Sequence, residues 1–240
     1  MANTQQMMGV ELRFRPLPDA VIWTAVFTAL WDWEPRLVPS HVDRLTDLEV
    51  EEPEPWSDSQ QATLAQRLAQ GRYFSWLLFR EDDEETGMQI LRRQSELELS
   101  IRAPRPDEDA AKGLLRLLAL LEGTALPALV MVYAGGSKDA ELAMQGLHGL
   151  QDVPPLLYLD EWAIDRVGGR VAIRRLPIPA HVAPGGLLLV VRPDPWQPST
   201  AEERARIKVI RQQLGISPEH PLVFAPSPGW GFAAGEGDSS

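Results

Sequence analysis

The chain has 240 residues, 44 % of them hydrophobic and eight of them tryptophan, enough to bury a sizeable core and to exclude a disordered polypeptide. Thirty-four acidic side chains against 23 basic ones give a net charge of -11, a negative field that disfavours direct nucleic-acid binding and speeds encounter with a basic protein. Cysteine is absent, which excludes a disulfide framework, a thiolate metal site and a cysteine nucleophile.

Along the chain, residues 11–15 alternate as a short strand, and Asp19 is placed to cap a helix running to Trp33. Val21, Ile22, Val26, Phe27 and Leu30 cover most of that helix's circumference, which predicts burial on several sides. The apolar run 20–31 follows Arg13 and Arg15 as the core of a signal peptide would. Pro16, Pro18 and Asp19 separate the charges from it, however, and residues 31–35 offer no small-residue cleavage site. The run also falls well short of the roughly 20 residues that span a bilayer. A cytoplasmic protein with no membrane partner is expected.

Residues 34–55, rich in proline and acid, read as an irregular surface connection, and Ser57 with Gln60 as a capping box. Leu64 and Leu68 share one face of the helix that follows, which Gly71 is placed to end. Residues 73–80 form an aromatic-rich strand, with 88–92 returning across an acidic turn at 81–87. In 96–102, Leu97, Leu99 and Ile101 alternate with Glu98, Ser100 and Arg102, the pattern of an antiparallel strand with one wet face.

Residues 107–122 read as a leucine-rich helix, 128–133 as an apolar strand and 137–150 as a helix, before Pro154 and Pro155 break the chain. A strand at 156–159, a short helical segment at 160–167 and a strand at 187–192 follow. Thr200 and Glu203 make a second capping box for a helix striped by Ile207, Ile210 and Leu214 and ended by Gly215. Helices and hairpins intermix without a regular βαβ alternation. The expected fold is therefore α+β, a mainly antiparallel sheet packed against several helices in a single compact domain over 1–225, with a flexible tail at 226–240.

Few residues suggest chemistry. Gly135, Gly136, Ser137 and Lys138 lie between a strand and a helix, where free amides can hold phosphate, but they match no full phosphate-binding motif and are equally ordinary turn chemistry. His41 with Asp43, and Asp160 with Glu161, lack metal-ligand spacing; the histidines at 41, 148, 181 and 220 form no zinc motif, and no nucleophile elbow occurs. No catalytic residue, metal or cofactor is expected. The sharpest charge feature is Glu81, Asp82, Asp83, Glu84 and Glu85, with a second cluster at Glu49, Glu51, Glu52 and Glu54. Each is either a solvated loop or a docking surface that takes the place of phosphate on a basic partner, with Trp56 or Tyr73 as aromatic anchors. Trp23, Trp76 and Phe79 read as core, whereas Trp162, Trp196 and Trp230 lie near segment ends where an interface can use them.

The stretches 155–160 (PLLYLD) and 185–191 (GGLLLVV), the triplet Asp194, Pro195 and Trp196, and the 200–214 helix resemble bacterial polymorphic-toxin immunity proteins. The similar families are immunity protein 52 and related myxobacterial or type VI immunity proteins, and the likeness covers mainly the last third of the chain. Gly229, Trp230 and Gly231 are similar to that family's tryptophan–glycine motif, but fall in the predicted tail. The resemblance implies an α+β inhibitor that binds a cognate toxin, often a nuclease, by steric occlusion. The alternatives are an enzyme that binds a phosphorylated small molecule near Gly135 to Lys138, or a secretion-system adaptor.

Overall fold

The alternating segment around Leu99 is a strand at the middle of a ten-stranded sheet. The computed structural model describes residues 6–14, 19–44, 52–70, 74–92, 97–134, 149–150, 153–215 and 222–223. In chain order, β1 (Met7–Phe14) leads to α1 (Ala20–Trp33), a 3₁₀ turn (Pro35–Leu37), β2 (His41–Arg44), β3 (Glu54–Pro55) and α2 (Asp58–Gln70). The hairpin β4 (Phe74–Arg80) and β5 (Asp83–Arg92) is followed by β6 (Leu97–Pro104), α3 (Ala110–Leu121), β7 (Leu129–Ala134) and β8 (Gly149–Leu150). Then come β9 (Leu156–Asp160), α4 (Glu161–Arg166), α5 (Gly169–Arg174), β10 (Ala180–Ala183), β11 (Gly186–Val190), α6 (Ala201–Leu214) and β12 (Leu222–Val223).

The large sheet runs β10-β11-β9-β7-β1-β6-β5-β4-β2-β3, and every neighbouring pair is antiparallel. The fold is α+β as expected, one domain built on this sheet. Because strand side chains alternate between faces, the sheet separates two cores. Leu12, Trp76, Ile90, Leu99, Val130, Tyr158 and Leu188 face the first core, with α1, α2 and α3. Leu129, Met131, Leu157, Leu159 and Leu189 face the second, with α4, α5 and α6. That second core stops at β7. Beyond it, the same sheet face carries Glu11, Ser100, Gln89, Leu77 and Asp43 in one cross-strand row, and no described helix contributes apolar side chains there.

Several elements depart from expectation. The 34–55 connection is not irregular throughout: β2 pairs with both β4 and β3, and only Val42 of its four residues is buried, so the apolar signal was a single side chain. The acidic turn shrinks to Glu81 and Asp82. β5 begins at Asp83 because the register shifts between Phe79 and Arg80, which lets Arg80 pair with Asp83. Helix α1 is wet along one side: Val21 is 74 % exposed, and Thr24, Thr28 and Asp32 continue its stripe. Thr24 and Thr28 donate their hydroxyls to the carbonyls of Ala20 and Thr24, so this face reads less polar than its composition suggests. Gly149 and Leu150, expected at a helix end, pair instead with Leu222 and Val223. Helix α5 and strand β10 were not anticipated. Gly135 to His148 and the expected tail at 226–240 lie outside the described residues.

Candidate functional site: an acidic end of the sheet

Strand direction decides what the loops bring together. β4 and β6 end, and β1, β2 and β5 begin, at one end of the sheet, since Met7 pairs with Pro104 and His41 with Phe79. Helix α1 also finishes there: the Trp33 indole donates to the Gly113 carbonyl at 2.9 Å and Arg116 to the Trp33 carbonyl at 3.3 Å, joining α1 to α3. Four sequence-distant loops therefore meet.

The β4–β5 tip is tied down rather than loose. Ser40 receives the Glu81 amide on its hydroxyl at 3.0 Å and gives its own amide to the Phe79 carbonyl at 3.0 Å. Arg80 grips Asp82 through two bonds of 2.8 and 2.6 Å, and this hydrogen bonding holds the exposed Asp82 carboxyl below its ordinary range. Asp83 accepts the Thr86 amide at 3.2 Å. Glu81 and Glu85 are exposed; Glu84 lies in β5, with its side chain outside the described set.

Beside the tip, Arg36 donates to both Glu34 oxygens at 2.8 and 2.9 Å and lies within the fields of Asp83 and Asp107. Burial pushes the Glu34 carboxyl up, but the Arg36 bonds and the charges of Arg36 and Arg116 outweigh it and leave it below its usual value. Arg116 pairs with Glu108 at 3.1 Å, and Asp109 caps α3 by accepting the Ala111 and Lys112 amides. These carboxylates run into a cavity of about 400 Å³ lined by Arg105, Asp107, Glu108, Asp109, Asp194 and Trp196, among others. Arg105 lies 4.5 Å over the Trp196 ring and 3.5 Å from Asp194, while the Trp196 indole donates to the Met7 carbonyl at 2.9 Å. Arg36, Arg80, Arg105 and Arg116 each already have a carboxylate, and Glu81, Glu85 and Asp107 add further negative charge.

The second predicted cluster behaves differently. Glu54 is held by Arg44 at 3.0 Å and by Gln60, and Arg44 also donates to Gln60 at 2.9 Å. Glu52 is exposed but precedes β3, which runs towards the tip, because Glu54 pairs with Val42 and Pro55 with His41, so Glu52 lies on the side away from it. Glu49, Glu51 and Tyr73 lie outside the described residues. Trp56 joins the acidic end instead: its amide donates to the Ser40 carbonyl at 2.8 Å, and its half-buried ring meets Trp31 edge-on at 6.3 Å. Trp23 and Trp76 are core as read, Phe79 is half-buried, and Trp230 is outside the described set.

The chemical candidates do not converge. His41 contacts the Ser40 hydroxyl at 3.0 Å and stacks on Phe79, Asp160 caps α4 through the Ala163 amide, and Glu161 pairs with Arg170. Among the described residues no group of three or more potential metal ligands assembles, and no helix is long and apolar enough to cross a membrane. Gly135, Gly136, Ser137 and Lys138 are outside the described set. Sequence reading found the 81–85 carboxylates but missed Asp107 to Asp109, which lie in the same connection as Arg105, and Asp194, which meets Arg105 only through the sheet.

No family model matches the chain, and no curated protein sequence matches it. Among solved structures it is similar to the Pseudomonas aeruginosa T6SS protein PA0821, with a TM-score of 0.59, 14 % identity, and coverage of 94 % of this chain and 80 % of that one. The chain thus shares its fold with a T6SS protein.

Proposed function

We propose that the chain is an immunity protein of a type VI secretion-related system, which neutralises a cognate toxin in the producing cell's cytoplasm by binding and covering its basic working surface, as on a nuclease. The observation that carries this reading is the gathering of carboxylates from four loops at one end of the sheet. The type VI connection draws on the likeness of fold, and the inhibitory role on the resemblance in the last third of the chain. A surface that already binds phosphate attracts a field of this sign, and half-buried Trp56 and Trp196 at its margin are the residue type that anchors interfaces. In this reading the protein acts by contact rather than catalysis and requires no metal or cofactor.

The test is co-expression and calorimetry with the toxin encoded beside this gene. A one-to-one complex, weakened by salt and by Glu81→Lys with Glu85→Lys, together with protection of the cell, is the expected result. No complex and no protection would refute the reading. The T6SS neighbour also fits a secretion adaptor, which would bind a delivery component and leave the toxin active.

A further inference from the structure

The two edges of the ten-stranded sheet are built differently. At one edge stands β3, two residues long, in which Glu54 and Pro55 supply a charge and a missing N–H, both devices that stop a sheet from growing. At the other stands β10, whose four residues include no acid, lysine, arginine or proline. Val182 in it is 83 % exposed, the most exposed large hydrophobic side chain among the described residues, and Ala180 and His181 are exposed beside it.

The register shows which backbone groups this edge offers. Val190 gives its amide to the Pro179 carbonyl at 3.0 Å, and bonded pairs alternate along an antiparallel ladder. Pro179, His181 and Ala183 therefore face β11, while Ala180 and Val182 turn their N–H and C=O groups outward. Among the described residues no strand lies beyond them. Ala180 and Val182 stand opposite Leu189 and Leu187, on the face of the second core, and His181 stands opposite Leu188, on the face of the first.

We propose that β10 pairs antiparallel with β10 of a second copy of this chain, about a two-fold axis at His181. Ala180 of each subunit then meets Val182 of the partner subunit, and the outward groups close four N–H···O=C bonds. No other register uses them all: a shift by two residues brings in either Ile178, ahead of the strand, or Pro184, which has no N–H. The surroundings favour a second copy over the basic partner proposed for the acidic end. Arg174 and Arg175 lead into β10, both exposed and with no ion pair among the described residues, and they repel a cationic surface. In an antiparallel pair they stand at opposite ends of the shared edge, which keeps the like charges of the two subunits apart. A four-residue pairing belongs with interfaces under about 1,000 Å², so the association is weak and concentration-dependent. β4 and β5 lie near the other edge of the sheet, and the pairing is independent of the toxin reading.

Sedimentation velocity of the purified chain, with no toxin present, tests it. The average mass is expected to rise from that of one chain toward that of two between about 1 and about 300 µM, the range of a weak contact. Val182→Pro removes two of the four donors. Because that N–H faces solvent in the single chain, the fold tolerates proline there, and the dissociation constant is expected to rise about tenfold or more while the far-ultraviolet circular dichroism stays that of the parent. If that variant does not fold, His181→Lys, at an exposed position, sets like charges opposite each other across the axis and is expected to weaken association severalfold. Val21→Lys, at an equally exposed apolar position on α1, should leave association unchanged. A mass that stays that of one chain throughout, a folded β10 variant that associates like the parent, or loss of association in Val21→Lys would each overturn the assignment.

Discussion

Glu34 makes three structural contacts, one through its amide and two through its carboxylate. Its amide donates to the Leu30 carbonyl at the end of α1, its carboxylate accepts the Arg36 amide at the start of the 3₁₀ turn, and it pairs with the Arg36 guanidinium. Because the folded protein holds this carboxyl below its ordinary value of about 4.3, the folded state binds the proton more weakly than the unfolded chain. Its stabilising contribution is therefore present above that value and is lost as pH falls through the lower, folded one. Glu34→Gln should flatten the acid side of the stability profile, read as urea midpoints between about pH 6 and about pH 3; unchanged acid slopes would contradict the assignment. Gly186 is constrained by space instead. A Cβ there would stand 2.0 Å from the Leu159 carbonyl oxygen and 2.9 Å from the Asp160 Cα, both backbone atoms. Gly186→Ala should thus be destabilising by about 3 kcal/mol, near the top of the usual range for overpacking, and a midpoint equal to the parent's would sink the argument.

At the scale of elements, α6 depends on its ends because only Ile210 and Leu214 are buried. Thr200 accepts the Glu203 amide at 3.1 Å and Glu203 accepts the Thr200 amide at 2.8 Å, while Gly215 closes the helix at φ +68°. Thr200→Ala should cost about 1 kcal/mol and raise amide exchange in the first turn selectively. Uniform exchange along α6 would mean that packing, not the cap, fixes this helix. Such local devices are why much of the fold was legible: Asp19 and the Thr200 box mark helix starts, and Leu97, Leu99 and Ile101 mark a strand. The Ser57 box was legible only in half. Gln60 gives its amide to the Ser57 hydroxyl at 3.4 Å, but sends its side chain to Glu54. Strands β2 and β3 were hidden because they are short and gain their pairing from a neighbour, β2 from β4 and the edge strand β3 from β2, not from their own pattern. The site divides in the same way. The 81–85 run announces itself as charge, whereas Arg105 and Asp194 are 89 positions apart and become neighbours only once β1, β7 and β9 join β6 to β11 in one sheet.

On the whole molecule, cover is uneven. β7, β9 and β11 lie between the two cores, while β6, β5, β4 and β2 have helices on one face only among the described residues. Protection against hydrogen exchange should follow this asymmetry, with Val130 to Val132 and Leu157 to Leu159 slowest and β2 opening locally first. Equal protection of Val42 and Tyr158 would show that the sheet opens as one unit. The 192–199 loop stands between two cavities, since Pro193, Asp194 and Trp196 line the acidic one while Arg192 and Ser199 line a second, of about 310 Å³, beside α6. A wall common to two cavities lets what happens on one side be felt on the other. Arg192 holds the Pro195 and Gln197 carbonyls from one side, so a partner that needs Trp196 in place on the other meets a loop whose ordering cost is already partly met, and by reciprocity that partner fastens Arg192 by the same factor.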